Sequence, residues 1–346
     1  RTHSGIAVDL RVARPPQLGN LLQHFTGSGE HNAALREQAV RRGLHVSEYG
    51  ILDDSTGETR TCASEREVYE LLGLAYIEPE LREDRGELQA ARLAGDGPTL
   101  PRLVELADMR GDMHLHTIAS DGHNTIGEMA EAAHACGYKY IAITDHTKSM
   151  AMTGGMDEKR ALDQIRRVRE VDRQMEGRIR VFTGIEVDIL ADGALDLDDE
   201  VLAQMDVVIA AVHTRFEMNR EQMTARVLRA IENPYVRILG HPTGRLLLRR
   251  EPFALDMGAV LRRAAELGVA VEHNAAPERL DLCDRDLRLA KETGCLITIN
   301  SDSHDRRNLG KMGYGVRQLR RAWLEPEDVL NTRGPKDFLA GLRPRP

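Results

Sequence analysis

The sequence predicts an α/β fold: a parallel (β/α) barrel from residue 109 onward, led by a small α+β unit. Three observations point there. Short apolar runs alternate with helical stretches over the C-terminal part of the chain, a Gly/Pro-rich segment precedes that region, and metal-ligand side chains recur where the apolar runs end.

The apolar runs are YKYIAIT at 138–144, RVFTGIEV at 180–187, DVVIAAV at 206–212, VRILG at 236–240, VAVEHNA at 269–275 and CLITIN at 295–300. Helical periodicity fills 157–175, 220–232, 256–267 and 284–294 between them. With DMHLH at 112–116 these make seven βα-like units, which favours a barrel over an open sheet. No GxGxxG or GxxxxGK[ST] loop is present, which excludes nucleotide-binding folds of those types. AGDGPTLP at 94–101 has linker chemistry, so the expected organisation is a first domain at 1–92, a linker at 93–108 and a second domain at 109–346.

The first unit reads as a strand-like run at 5–13, the Pro15-Pro16 breaker, a helical stretch at 21–25, a TGSGE turn and a helix near 31–42. An extended segment at 46–52, a DDSTG turn and a helix at 64–73 with Ser64 as its cap follow. The chain does not begin with Met, and its opening residues read as the end of a sheet already under way, as in a fragment.

At 346 residues and 41% hydrophobic content, the chain is long enough for a sizeable core. No run of about 18 apolar residues is present to span a bilayer, and no tripartite secretory signal opens the chain. Four cysteines, Cys62, Cys136, Cys283 and Cys295, form no CxxC pair, which suits a reducing, cytoplasmic compartment. The formal charge of −8 argues against a broad basic face for nucleic acid, although bound divalent cations would offset it locally.

The polar residues at the strand ends carry the chemistry. His114 and His116 close the first strand, Asp145-His146 the second, Glu186 lies on the third, His213 and His241 end the fourth and fifth, and Asp302 and His304 end the seventh. In a parallel barrel these ends converge on one mouth, so residues remote in sequence would meet there. Alternation along a strand places Asp112, His114 and His116 on one face, and Asp302 with His304. A set of imidazoles and carboxylates without thiolate suits Mn, Zn or Fe, and its size suits two or three ions. Closely spaced divalent ions favour phosphoester hydrolysis, because they clamp attacking and leaving oxygens and acidify water.

HLHT with the following Asp121, ITDH, GIEVDI, AAVH, GHP, EHNAAPERLDL and NSDSH, in this order, resemble the polymerase and histidinol phosphatase (PHP) domain over 109–346. The resemblance implies a distorted seven-stranded (β/α) barrel with a trinuclear site whose ligands are His114, His116, Asp121, His146, Glu186, His213, His241, Asp302 and His304. DLRV at 9–12 and HFTGSGEHNAALREQAVRRGLHVSEYGI at 24–51 resemble the palm end and thumb of a family X DNA polymerase. That resemblance implies a metal-binding role for Asp9, and contacts on the nucleotide and template side for Phe25, Thr26, Gly27, Ser28, Asn32 and Arg36. The DxD carboxylate pair, fingers and lyase-like domain of that family are absent, and Asp9 alone cannot hold two magnesium ions. Polymerisation, with Mg2+, is therefore expected only of a full-length parent.

Together the two resemblances imply a metal-dependent 3′-5′ DNA exonuclease, with Mn2+ expected first and Zn2+ or Fe2+ next, acting as a monomer on DNA 3′ ends. His114, His116, Glu186 and Asp302 are the expected catalytic core. Lys148, Arg215 and Arg245 follow strands and are candidates for holding phosphate groups, with solvent-exposed charge as the other reading. Asn274 is a candidate for bonding substrate or a ligand, and Asp112 for orienting a ligand histidine. Competing readings are a small-molecule phosphatase of the histidinol phosphate type, a PHP domain kept only for structure, and an amidohydrolase barrel. The last usually needs a bridging lysine on a middle strand, and none is seen.

Overall fold

Alternating and continuous apolar runs need a sheet to pair with and a layer to bury against, and only the C-terminal region has both in quantity. The computed structural model describes residues 2, 3 and 5–344. The chain divides into two units, 1–101 and 102–346, the division falling inside the segment read as linker.

In the first unit, α1 (Leu18–Phe25) and α2 (Gly29–Val40) precede a three-stranded antiparallel sheet of β1 (Leu44–Ser47), β2 (Gly50–Asp53) and β3 (Thr59–Arg60), followed by α3 (Glu65–Leu71) and the short α4 (Glu87–Ala90). Ser28 caps α2 by accepting from the His31 amide, and Ser64 caps α3 by accepting from that of Glu67, so each satisfies a donor that the first helical turn leaves open. The strand-like run at 5–13 is not a strand. Ile6, Val8, Leu10 and Val12 are 63 to 93% exposed, because no described strand offers them a ladder.

The second unit carries seven strands: β4 (Gly111–Asp112), β5 (Tyr140–Ile143), β6 (Arg180–Asp188), β7 (Val207–Ala211), β8 (Ile238–Leu239), β9 (Ala270–Asn274) and β10 (Ile297–Asn300). They pair in sequence order and all in parallel. The crossovers carry α5 (Ile126–Ala135), α6 (Glu158–Gln174), α7 (Asp199–Leu202), α8 (Arg220–Glu232), α9 (Met257–Leu267) and α10 (Asp284–Glu292), with α11 (Met312–Arg321) and α12 (Pro335–Gly341) after the last strand. Leu115 bridges in parallel to Ser303, joining the first and last strand extensions, so the sheet is a nearly closed barrel. No helix among the described residues is long and apolar enough to cross a membrane.

Strand alternation sorts the core into two layers. Tyr140, Ala142, Phe182, Val207, Ile209, Ile238 and Ala270 fill the barrel, floored by Leu330, Phe338 and Leu342. Ile141, Ile143, Val181, Ile185, Val208 and Val271 face the helices instead. Continuing the inward register of β6 from Phe182 brings Glu186 and Asp188 to the inner face, and that of β9 from Ala270 brings Glu272 and Asn274. The first strand departs from the expected alternation. Only Gly111 and Asp112 are laddered, Met113 joins the inner core and Leu115 the outer one, so the HLH segment leaves regular strand geometry before its histidines.

Between the first and last strands, asparagine side chains replace much of the missing ladder. Asn331, fully buried, donates to the carbonyls of Gly111 (3.0 Å) and Ile299 (2.8 Å) and accepts from the Ile299 amide (2.9 Å). Asn300 accepts from the Met113 amide at 2.9 Å. Asn331→Ala would strand three buried backbone groups, so it is expected to cost about 3 kcal/mol or more and to lower the thermal midpoint by roughly 6 to 12 °C. Calorimetry on the purified chain checks this, and a shift below about 2 °C would refute the closing role.

Candidate metal centre

Each of the nine residues expected as ligands reaches one basin at the C-terminal end of the barrel. Their donor atoms form four overlapping groups, with the atoms in each group within 4.8 Å of one another: His116, Asp121, His146 and His304; His114, His116 and Asp302; His114, Glu186 and His241; His146, Glu186 and His213. Every one of the nine appears, and His114, His116, His146 and Glu186 each belong to two groups.

Glu186 is the hub. Its Oε2 lies 2.9 Å from His146 Nδ1, 3.3 Å from His114 Nε2 and 3.5 Å from His116 Nε2. Its Oε1 lies 2.9 Å from His241 Nε2 and 3.2 Å from His213 Nε2. Asp302 Oδ1 stands 3.1 Å from His116 Nε2, and Asp121 Oδ1 stands 3.3 Å from His304 Nε2. Two residues of the basin hold backbone shapes that L-residues seldom adopt, His241 at φ 24° and Asp302 at φ 51°, strain of the kind that collects at functional sites. Gly122, just after Asp121, is required for closeness: a Cβ there would meet the His116 carbonyl oxygen at 2.5 Å.

The electrostatics suit cations. Burial opposes ionisation of Glu186, but the imidazoles of His114, His146 and His213 outweigh it and hold the carboxyl well below its usual range. Burial also opposes charge on Asp302, and there too the neighbouring histidines prevail. His116 is pushed down to about 3 by burial and by the adjacent His304 and His146, so it stays neutral with a lone pair to offer. His114 Nε2, both ring nitrogens of His116, His146 Nδ1, His241 Nδ1 and Glu186 Oε2 are buried without a hydrogen-bond partner. Such orphaned groups are costly in a folded protein, and a set of converging lone pairs and carboxylates is what divalent ions bind. The residues present therefore fit a multi-metal centre.

A surrounding set of bonds aims these side chains. His114 Nδ1 lies 2.8 Å from Glu272 Oε1, while Glu272 Oε2 accepts from the His241 amide at 2.7 Å. His213 Nδ1 lies 2.8 Å from Asp188 Oδ1. Asn274 donates to Asp302 Oδ2 at 3.1 Å. Asp145 accepts from the Thr117 amide and hydroxyl, from Ser120 and from Gln164, which pins the loop after the first strand. Glu272 and Asp188 were not foreseen, yet the sequence holds their signal: each lies two residues from a named one, Asn274 and Glu186, on the same strand face. The expectation for Asp112 needs correction. Its carboxylate accepts from the amides of Ser301 and His114, fastening backbone, and Glu272 takes the His114 ring.

The expected substrate contacts differ among themselves. Arg215 is exposed, and Lys148 is half-exposed and paired with Glu158. Arg245 is committed to the carbonyls of Arg279 (2.9 Å) and Leu280, and so braces the loop after β9. In the first unit, Phe25 is 53% exposed beneath the Arg11 guanidinium, Thr26 ends α1 and Gly27 takes φ 106°. Asn32 is buried, accepting from Gln23 at 2.8 Å and donating to the Ser28 carbonyl at 3.2 Å, and Arg36 lies 3.0 Å from His24 Nδ1. Asp9 is exposed.

A parallel barrel whose mouth gathers six imidazoles and three carboxylates has the architecture of a metal-dependent phosphoesterase. Residues 112–300 match the model of the PHP domain, and residues 21–83 match that of the DNA polymerase beta thumb. The chain belongs to the PHP family and carries a polymerase-type thumb ahead of the barrel. It is 40% identical over 337 residues to the DNA polymerase/3′-5′ exonuclease PolX of Bacillus subtilis, a match spanning 97% of this chain and 58% of that protein. A probable phosphatase from Thermoanaerobacter is 31% identical over 233 residues, 64% of this chain and 89% of its own length. Among solved structures, histidinol phosphate phosphatase from Lactococcus lactis, complexed with zinc, L-histidinol and phosphate, aligns with a TM-score of 0.46 at 17% identity, covering 61% of this chain and 94% of that one.

If Glu272 aims the imidazole of His114 at a metal, Glu272→Gln should weaken divalent metal binding about 10- to 100-fold while the fold survives. Titration of the metal-stripped chain with Mn2+ or Zn2+ measures this, and unchanged affinity would remove Glu272 from the account.

Proposed function

We propose that this chain is a metal-dependent 3′-5′ exonuclease that hydrolyses phosphodiesters at DNA 3′ ends, and that it belongs to a DNA repair polymerase whose polymerase core lies largely outside it. The observation that carries the reading is the joining of the nine-residue basin to a polymerase beta-type thumb in one chain. The 40% identity to a relative named as polymerase and exonuclease, sustained over 97% of the chain, supports it. The chain spans 58% of that relative, so polymerisation, with its Mg2+, is assigned only to a longer parent.

His114, His116, Asp121, His146, Glu186, His213, His241, Asp302 and His304 would hold two or three divalent ions, Mn2+ first and Zn2+ or Fe2+ next. When bound, such ions supply an acidified water and offset charge on the phosphoryl oxygens and the leaving 3′ oxygen. The chain's own residues do the rest. Glu186 and Asp302 keep their charge at neutral pH, His116 keeps its lone pair, and Glu272, Asp188 and Asn274 fix ring and carboxylate orientations. Lys148 and Arg215 are assigned to DNA phosphates on the approach, with Phe25, Gly27, Ser28 and Arg36 in the thumb region, residues 1–92, that guides the strand, while Asn32, bonded inside the helix pair, holds that region's shape. The working form is a cytoplasmic monomer.

Relatives named as probable phosphatases that match 64% of this chain favour a second reading, phosphomonoester hydrolysis. Digestion of a labelled 3′-recessed duplex in Mn2+, alongside hydrolysis of a phosphomonoester, separates the two. The exonuclease reading expects shortening from the 3′ end, lost on the order of 100-fold or more in His116→Ala and Asp302→Ala. Variants that degrade DNA at the unmodified rate would sink it, and strong monoesterase activity with intact DNA would favour the phosphatase.

A further inference from the structure

Apolar side chains scattered over a surface need no explanation, but their distribution on this barrel is one-sided. Five large exposed ones stand in segments that follow the strand ends bearing the basin: Ile118 after β4, Met152 after β5, Leu190 after β6, and Leu247 and Leu248 after β8. Among the described residues, the loops that enter β5 to β10 at the opposite end expose none. The charged basin thus carries an apolar rim, for which a metal ion or a bare phosphate has no use.

Leu248 is the sharpest case. Its side chain is fully exposed, yet its backbone is held at φ 63°, a left-handed shape that a bulky L-residue adopts only at a cost. The turn around it is braced on every side. Leu246 and Arg250 exchange backbone hydrogen bonds (2.9 and 2.8 Å), and the Leu247 amide donates to the Glu278 carbonyl at 2.7 Å. Arg250 donates to the Gly244 carbonyl at 2.8 Å and lies over the Phe216 ring, 4.0 Å from its centroid, which ties the turn to the loop after β7. The turn also adjoins the basin. It follows His241 in the same loop, and the Glu278 segment that backs it carries Arg279, whose Nε stands 3.5 Å from Asp302 Oδ2. Strain that a surrounding network maintains in this way is typical of ligand contacts.

The occupant follows from the basin. A phosphoester whose phosphorus reaches the basin brings its remaining groups over the rim, and the apolar group that accompanies phosphate in a DNA strand is the flat face of a base. Leucine, isoleucine and methionine are among the side chains that proteins wedge against base faces. We propose that Leu248 is a substrate-contacting residue, its side chain packed against the nucleobase of the nucleotide whose phosphate the basin holds. The inference rests on the phosphoester reading of the basin and narrows its substrate to a nucleotide. Because the contact is apolar, it takes any base.

The test uses the whole chain loaded with Mn2+, with thymidine 5′-monophosphate and 2-deoxyribose 5-phosphate as probes that differ in the base. Affinity is measured by isothermal titration, or as kcat/KM should the chain hydrolyse the probes, with metal content and thermal midpoint measured beside it. The unmodified chain is expected to prefer the nucleotide about 5- to 20-fold, the effect of partly burying one leucine. Leu248→Gly removes the side chain and relieves the left-handed backbone, so it should fold at least as well, keep its metal and take both probes alike. Leu248→Phe should keep the preference. Equal affinity of the unmodified chain for the two probes overturns the proposal, and so does a preference that Leu248→Gly retains. A matching fall in sugar-phosphate affinity also overturns it, by making the turn a support for the basin. Self-association that Leu248→Gly abolishes would overturn it too, by assigning the rim to a second copy of the chain. A Leu248-dependent preference in a chain that leaves DNA 3′ ends intact would sink the exonuclease reading alone, whereas digestion without any base preference would sink only the proposal.

Discussion

Five imidazoles converge on the carboxylate of Glu186 inside a barrel floored with apolar side chains, and the rest of the second unit can be read as the means of holding that arrangement. Histidines packed this closely repel one another when protonated and orphan their lone pairs when neutral. Shared carboxylates relieve the first problem in part. Divalent ions relieve both, which is why the basin makes physical sense as a metal centre and little sense as a core.

The scaffold follows from that demand. Parallel strands deliver side chains from seven separate segments to one mouth, and the inner register changes from apolar at Phe182 and Ala270 to acidic at Glu186 and Glu272 within one or two pleats. The interior is thus dry and rigid below the site and polar at it. His241 and Asp302 hold strained backbone shapes, and the asparagines at 300 and 331 close the seam where the ladder is thin. Rigidity here serves the chemistry, since ligands misplaced by a fraction of an ångström lose metal affinity.

Much of this was legible in the sequence, for reasons that can be named. Continuous apolar runs such as YIAI and VVIAA announce buried strands, and a histidine or acid at nearly every strand end is a pattern that chance and core chemistry do not produce. Alternation failed where the chain leaves strand geometry: at 113–116, where the first strand stops after Asp112, and at 5–13, where apolar alternation has no partner strand. The roles of Glu272 and Asp188 were missed although their positions were predictable, because a carboxylate that bonds an imidazole looks in sequence like any strand acid. Arg279 and Arg245 show the limit most plainly. Both are arginines in loops after strands, and only the acceptors around them separate a structural brace from a side chain with donors to offer.

The central claim is that the basin is a multi-metal centre. Elemental analysis of the purified chain after equilibration with Mn2+ and removal of free ion, set beside Glu186→Ala, tests it most directly. The account predicts two to three ions per chain, falling to one or fewer when the shared carboxylate is removed. Less than one ion per unmodified chain, or a content that Glu186→Ala leaves unchanged, would contradict it.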